Sequence, residues 1–242
     1  MFREARIFLS AEWRDLVMLN YEVEPAFLRN HVPSGTQLDS FEGKTYVSLV
    51  GFRFCRTKLL GFLSIPFHSN FEEVNLRFYV RREVGDELRR GVVFIAEVVP
   101  RWAIAATARA LYNENYKSCA MKHRVESPGP SKTAEYEWRV EGRWCKLFAQ
   151  AQGAPSHPAE GSVEQFITEH YWGYSAQRAG GSLEYHVAHP PWQVWTATAA
   201  KFEGDANALY GAALGNTLQR RPDSAFIAEG SAVTVSAGRR IQ

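Results

Sequence analysis

Apolar segments that alternate with polar residues, or run short and unbroken between turn residues, recur along this chain and constrain its fold most. In FEEVNLRFYV (71–80), large apolar residues occupy every second position, which is the period of a β-strand. Similar patterns predict strands near residues 18–24, 45–54, 71–82, 91–99, 118–126, 134–140, 144–150, 183–188, 192–203 and 229–237.

Helical patterns are fewer, and most follow a residue suited to a helix N-terminus. They predict helices at 11–17 behind Ser10, at 25–31 from Pro25, at 101–112, at 162–171 behind Ser162 and at 205–214 behind Asp205. So many strands with so few helices predict a mainly β fold, β-rich within the α+β class. The sheet should be strongly bent or closed, because closure removes the unpaired strand edges.

The chain length allows one large domain or two small ones. Of the 242 residues, 45% are hydrophobic and 13% are aromatic, which is enough for a large core. The turn-rich stretches 127–132 and 153–161 are too short to indicate domain linkers. We therefore predict a single domain over residues 1–242.

The charge pattern argues against nucleic acid and membrane partners. The formal net charge is +2, and the arginine doublets are isolated rather than gathered in a run, as at ordinary strand and loop edges. No apolar run approaches the ~20 residues that span a bilayer. The start MFREARIFLSAEW lacks the apolar centre of a signal peptide.

Cysteine and histidine spacing predicts no metal site and no cofactor. Cys55, Cys119 and Cys145 are widely spaced, so neither a disulfide framework nor a metal knuckle is indicated. His186 and His189 should point to opposite faces of a strand, and His170 follows a predicted helix, whose last carbonyls it can bond. GxSxG and GxGxxG are absent. A cytoplasmic protein of a reducing compartment is the simplest interpretation.

The second face of the predicted strand 71–82 carries four polar residues in a row: Glu73, Asn75, Arg77 and Tyr79. One interpretation is a solvated outer face, which is usual for a half-buried strand. The other is the wall of a polar cavity, where these groups could hold a small polar ligand by converging hydrogen bonds. The alternation alone leaves both open.

Glu97 stands out in VVFIAEVV, which is otherwise apolar on both faces. A carboxylate in such a strand must be paired, or burial must raise its pKa. An ion pair with Arg77 or Arg101, a functional acid in a pocket, and a bulge that reaches water are the three interpretations.

Lys117, in ARALYNENYKSCAMKH (108–123), is either a solvated loop charge or an amine placed to form a Schiff base with a carbonyl substrate. A nucleophilic lysine needs a lowered pKa, from an apolar pocket or a neighbouring cation. A single lysine in a polar loop is more often on the surface.

Four stretches, 13–54, 72–81, 108–116 and 187–199, together cover most of the chain. In this order they resemble the YqjF-like family of uncharacterised bacterial proteins, a domain of unknown function grouped with the acetoacetate decarboxylase-like fold. The resemblance implies a single closed, cone-like β barrel with flanking helices and an internal pocket. Under that fold, the cavity interpretation of the polar face is favoured over the solvated one.

A more distant resemblance to acetoacetate decarboxylase bears on the chemistry. Glu73-Val74 looks like that enzyme's pocket Glu-Val, and Arg109 followed by Tyr116-Lys117 looks like a degraded form of its Arg-Glu and Pro-Lys-Lys pattern. The proline and the lysine pair are missing here, so the neighbouring ammonium that would lower the nucleophile's pKa is missing too.

The first function hypothesis is a barrel that binds a small anionic or carbonyl-containing molecule without covalent chemistry. Asn75, Arg77 and Tyr79 would be the ligand-binding residues, with Arg77 anchoring a carboxylate or an enolate.

The second hypothesis is a Schiff-base or enolising lyase-like enzyme that acts on a keto acid. Lys117 would be its nucleophile, and Glu73 or Glu97 its general acid and base. A homo-oligomer is a third open point, because five aromatic residues could form a partner surface or, as is more usual, part of the core. They are Tyr171, Trp172, Tyr174, Trp192 and Trp195.

Overall fold

The computed structural model describes residues 6–64, 69–100, 113 and 115–242. Its strands are β1 (Ile7–Val23), β2 (Gln37–Leu38), β3 (Thr45–Leu59), β4 (Leu63–Ser64), β5 (Phe71–Val84), β6 (Glu87–Val99), β7 (Tyr116–Ser118), β8 (Met121–Glu126), β9 (Ser131–Val140), β10 (Arg143–Gln152), β11 (Trp172–Ala176), β12 (Ser182–Ala188), β13 (Val194–Glu203), β14 (Ser224–Ser236) and β15 (Arg239–Ile241). The predicted mainly β fold is therefore confirmed.

Seven of these strands close into a ring. They are hydrogen-bonded in the order β12-β11-β6-β5-β3-β1-β14, and β14 returns to β12 through the pairs Val187–Val235 and Ala188–Thr234. Every neighbouring pair in the ring is antiparallel except β6 with β11. The closed barrel implied by the family resemblance is thus present as a closed ring of strands.

A second layer covers one side of this ring. Strands β13, β10, β9 and β8 continue from β14 as an outer sheet. Tyr136 and Trp138 of β9 pack with Leu49 of β3 and Leu76 of β5 in the outer core, which lies between this sheet and the ring wall. Gly51 allows the close approach, because a Cβ there would lie 2.8 Å from Tyr136 Cδ2.

The opposite faces of the ring strands enclose an inner core. Met18 of β1, Phe52 of β3 and Tyr79 of β5 pack there with Phe166 and Trp192 from the connecting segments. Because side chains alternate along a strand, the residues of β1, β3, β5 and β6 are divided between the outer core and the inner core. The burial of Trp192 also confirms the core interpretation of that aromatic residue.

The helices of the described residues are short: α1 (Pro25–Leu28), which continues as a 3₁₀ turn (Arg29–His31), α2 (Val163–Thr168) and α3 (Asn207–Thr217). Ser162 caps α2 by accepting a hydrogen bond from the Gln165 amide, as predicted. In the described parts of the chain, no helix combines the length and the apolar character that crossing a membrane requires.

The helix predicted at 11–17 is wrong, because these residues belong to β1. They pair with β3 on one edge and β14 on the other, so hydrogen bonds to distant strands override the local pattern. Asp15, with φ of 56°, breaks the ladder at a bulge there. The helix predicted at 101–112 lies outside the described residues.

Candidate functional site

The polar row, Glu73, Asn75, Arg77 and Tyr79, lies on the inward face of β5. All four side chains are buried, with 1 to 7% of their surface exposed. The interpretation of this face as a solvated one is therefore wrong. The ring and the segments that cover it enclose these groups, whereas the alternate residues of β5 enter the outer core.

Glu73 is the buried acid of the row. Its Oε1 accepts a hydrogen bond from Asn75 Nδ2 at 2.9 Å, and its Oε2 accepts one from the Tyr116 hydroxyl at 3.0 Å. Burial raises the pKa of Glu73 to about 7, although both hydrogen bonds and the charge of Arg77 act to lower it. Glu73 is thus able to gain or lose a proton near neutral pH.

Arg77 carries a buried guanidinium beside this acid. Its Nη2 donates to the Ile167 carbonyl at 3.3 Å and lies 3.9 Å from the sulfur of Met18. Among the described residues Arg77 forms no ion pair, and its Nε has no hydrogen-bond partner. Since an unpaired buried charge is costly, this group is suited to receive an anion.

Tyr79 ends a chain of buried hydrogen bonds. Its hydroxyl lies 2.5 Å from Ser48 Oγ, which donates to Asn20 Oδ1 at 2.6 Å. Ser48 has one proton to give, so the Tyr79 hydroxyl is the donor in the first bond. Asn20 Nδ2 in turn donates to Ser224 Oγ at 3.0 Å. This chain fixes the Tyr79 ring beside Arg77, whose guanidinium carbon lies 5.8 Å from the ring centre.

His170 completes the far end of the row, and the sequence interpretation of this residue was wrong. Among the described residues its side chain bonds no helix carbonyl, and instead Nε2 lies 3.3 Å from Asp39 Oδ2. Its ring packs 4.7 Å from the ring centre of Tyr79 and 5.0 Å from that of Phe166. Burial lowers the pKa of His170 to about 4, so the imidazole is neutral at neutral pH.

Glu97 lies in the same layer on the neighbouring strand. It is 1% exposed and stands in register with Asn75 of β5 and Tyr116 of β7. The interpretation in which Glu97 reaches water is therefore wrong. Glu97 forms no ion pair with Arg77, and Arg101 lies outside the described residues. Its predicted role as an acid stays a prediction.

The structure does not bring Lys117 to the polar row. Lys117 is exposed, and its Nζ donates to the Ala208 carbonyl of α3 at 3.4 Å. It follows Tyr116 along β7 and stands beside Val98, which belongs to the outer core, so it lies on the face opposite Tyr116. Its role as a nucleophile stays a prediction that this placement does not favour, and Arg109 lies outside the described residues.

Together, these residues form a compact set of hydrogen-bonding groups in an apolar interior. The row supplies one proton-exchanging acid, one unpaired cation, and amide and hydroxyl groups of fixed orientation. No group of three or more His, Cys, Asp and Glu in the described part of the chain could hold a metal ion.

Sequence reasoning missed Tyr116, His170, Asp39 and Ser48. Each comes from a segment separate from β5 in the chain, and strand pairing brings three of them to the row: Ser48 stands opposite Arg77, Asp39 follows β2, and Tyr116 lies on β7 beside β6. Of these four, only Ser48 could have been picked out from the sequence, because it is a polar residue within a strongly apolar predicted strand.

The chain is similar to one curated protein and to several solved structures. It is 24% identical over 188 residues to the uncharacterized protein YqjF of Bacillus subtilis (strain 168). These residues make up 77% of this chain and 75% of that protein. Acetoacetate decarboxylase of Legionella pneumophila superposes with a TM-score of 0.68 at 13% identity, over 97% of this chain and 87% of its own.

Two further structures are alike in fold. The enduracididine biosynthesis enzyme MppR, complexed with pyruvate, has a TM-score of 0.68 at 12% identity, over 100% of this chain and 92% of its own. An acetoacetate decarboxylase-like enzyme of Sphingomonas wittichii RW1 has a TM-score of 0.65 at 11% identity, over 97% of this chain and 93% of its own. The chain therefore has the acetoacetate decarboxylase-like fold.

A family model matches nearly the whole chain. The matched residues are 10–232, which include at least part of every strand of the ring and the whole polar row. That model describes an uncharacterized conserved protein. The chain belongs to the DUF2071 family, to which the YqjF-like proteins belong.

Proposed function

We propose that the protein binds a small anionic or carbonyl-containing molecule inside its barrel, with Arg77 as the anion anchor. The observation that carries this proposal is the buried guanidinium of Arg77, which has no ion-pair partner among the described residues and a free Nε donor. A carboxylate could take two hydrogen bonds from it, and charge-assisted bonds of this kind are the strong ones.

Glu73 neutralises Arg77 only in part at neutral pH. Its raised pKa of about 7 leaves a large share of the carboxyl protonated and uncharged there. In that form Glu73 can donate a hydrogen bond, which suits a carbonyl or carboxylate oxygen of the ligand. That MppR is described in complex with pyruvate, a carbonyl-containing anion, supports the proposal by likeness of fold.

Calorimetric titration with a panel of small carboxylates and keto acids tests this function. Arg77→Met should weaken binding at least tenfold, because it removes charge-assisted bonds and keeps the side-chain length. Arg124→Met is the matched control, since Arg124 is an exposed strand arginine paired with Glu126 and should bind as the parent does.

Thermal stability separates a binding role from a structural one. Without ligand, Arg77→Met should unfold at the same temperature as the parent or higher, because it removes a buried unpaired charge. Unchanged ligand affinity in Arg77→Met would overturn the proposed function.

A second candidate function is enolisation of a bound carbonyl compound by Glu73. The pKa of about 7 favours it, because a general base works best when its pKa lies near the working pH. Arg77 would then stabilise the enolate charge. The Schiff-base variant of this chemistry would still need Lys117, which lies away from the row.

Exchange of α protons into deuterated water, followed by proton NMR, tests enolisation with pyruvate and acetoacetate. Glu73→Gln should slow exchange at least a hundredfold. Glu72→Gln should leave the rate unchanged, because Glu72 bonds His123 on the outer side of β5. A parent protein that adds nothing to the exchange rate in buffer would exclude enolisation of these compounds and leave the binding function standing.

A further inference from the structure

The imidazole of His170 presents a hydrogen-bond acceptor next to the polar row. Asp39 Oδ2 accepts a 2.7 Å bond from Arg90 Nε and faces His170 Nε2. Burial acts to raise the pKa of Asp39, but the bonds from His170 and Arg90 outweigh it and lower the pKa to about 2. Asp39 is therefore an acceptor only, and Nε2 of the neutral ring must carry the proton.

The other ring nitrogen is left with a lone pair and no donor. Nδ1 of His170 is buried and has no hydrogen-bond partner among the described residues. The flanking Phe166 ring has no donor to offer, and the Tyr79 hydroxyl is used by Ser48. A buried acceptor without a donor is costly, so a molecule bound there gains by supplying one.

Arg77 lies in the same region, and its Nε is a buried donor that lacks an acceptor among the described residues. Both its guanidinium and the His170 ring contact the Tyr79 ring, and the charge of Arg77 contributes to the low pKa of His170. A ligand that fits both groups has an anionic end for Arg77 and a hydrogen-bond donor for His170. The guanidinium groups of Arg77 and Arg90 disfavour an ammonium donor here, so the donor should be an uncharged hydroxyl.

We propose that the ligand is a small hydroxycarboxylate, whose carboxylate binds Arg77 and whose hydroxyl donates to Nδ1 of His170. This inference rests on the proposed binding function and narrows it to a chemical class. A keto acid of the same carbon skeleton offers only an acceptor at the position of the hydroxyl, and so it leaves Nδ1 without a donor.

Calorimetry with matched pairs tests the choice: lactate with pyruvate, 3-hydroxybutyrate with acetoacetate, and mandelate with phenylglyoxylate. In the parent, the hydroxy member of the best-binding pair should bind about tenfold more tightly, as one ordinary hydrogen bond allows. In His170→Phe that preference should fall below about threefold, because the ring is kept and the acceptor is lost.

His170→Phe leaves Asp39 bonded to Arg90 and to the Ser40 amide, so the variant retains that anchor. The matched control is His186→Phe, which changes a half-buried histidine that packs on Trp172 and should keep the parent's preference.

The outcomes distinguish a failure of this inference from a failure of the proposed binding function on which it rests. The inference is overturned if the parent binds both members of a pair equally, or if His170→Phe keeps the preference for the hydroxy acid. The binding function survives either result, provided that Arg77→Met still binds both ligands more weakly than the parent. If Arg77→Met binds as tightly as the parent, or if no member of any pair binds the parent, the binding function and this inference fall together.

Nitrogen-15 NMR of the histidine rings gives a second measurement that does not depend on the variant's folding. We expect His170 Nδ1 to be unprotonated in the free protein and its signal to move when the hydroxy acid is added, but not with the keto acid. A proton on Nδ1 in the free protein would overturn the inference.

Discussion

The hydroxyl of Tyr116 donates to Glu73 Oε2 at 3.0 Å across the whole width of β6, which lies between their two strands. Tyr116 therefore acts on an acid that is two strands away in the sheet and more than forty residues earlier in the chain. The pair links the short strand β7 to the polar row, and it makes Glu73 sensitive to a residue outside β5.

Tyr116→Phe should raise the pKa of Glu73 above its value of about 7. The hydroxyl bond stabilises the charged carboxylate, so its loss favours the protonated form. A carbon-13 NMR titration of the Glu73 carboxyl, assigned with Glu73→Gln, measures the change. Tyr210→Phe is the control, because its hydroxyl lies in the outer core and has no partner among the described residues. An unchanged or lower pKa would contradict the prediction.

Glu73 should make the protein less stable as the pH rises. Its pKa is about 7 in the folded state against an ordinary 4.5, so its contribution is complete below about pH 4.5 and is lost as the pH rises through about 7. The free energy of unfolding should fall by about 3 kcal/mol over that window relative to Glu73→Gln, which mimics the protonated form.

Urea unfolding of both proteins at intervals between pH 4.5 and 8 measures this difference. Glu72→Gln, on the outer face of the same strand, should follow the parent. Parallel curves for the parent and Glu73→Gln would show that the buried acid has an ordinary pKa.

Borohydride reduction in the presence of pyruvate or acetoacetate should add no mass at Lys117. The amine is exposed, contacts the Ala208 carbonyl of α3 and lies on the face of β7 opposite Tyr116, away from the polar row. Lys117→Ala should bind ligands as the parent does and change stability by less than about 0.5 kcal/mol. Peptide mass spectrometry after reduction is the measurement, and an adduct on Lys117 would restore the Schiff-base hypothesis.

Ser48→Ala should destabilise the protein by about 1–3 kcal/mol, because it leaves the Tyr79 hydroxyl and Asn20 Oδ1 buried without their partner. The double variant Ser48→Ala with Tyr79→Phe should lose less than the sum of the two single variants, since it removes both ends of one bond. Denaturant unfolding of all four proteins completes the cycle. Strict additivity would mean that the 2.5 Å contact contributes nothing.

Glu184→Gln should cost about 3 kcal/mol or more, because three arginines share this buried carboxylate. Arg82, Arg89 and Arg239 each donate to it at 2.8 Å, and Arg89 is itself buried. Denaturant unfolding measures the loss, with Glu203→Gln as an exposed control that should behave like the parent. A loss no greater than in that control would show that the cluster adds no stability.

Local pattern predicted the parts of the fold in which local and distant interactions agree. The starts of β3 at Thr45 and β5 at Phe71 match the predicted strands, and Ser162 caps its helix as expected. The segment 11–17 shows the limit, because two distant strands determine its conformation. No local pattern carries that information.

The same limit applies to the candidate site. Alternation identified the polar row on β5, but its burial follows from ring closure, which the alternation alone could not establish. The pairing of His170 with Asp39 joins residues 131 positions apart, and the helix-end position of His170 indicated a different partner. The face of β7 on which Lys117 lies depends on the register with β6.

Ring closure also has a consequence for the order in which this chain can fold. Strand β1 uses its second edge to pair with β14, so that Ile7 stands opposite Ser236. The hairpin of β5 and β6 can form early, but the wall around Glu73 and Arg77 is complete only when nearly the whole chain is available. Such long-range pairing is slow, and we expect refolding in milliseconds to seconds, with ligand binding recovered only in the final phase.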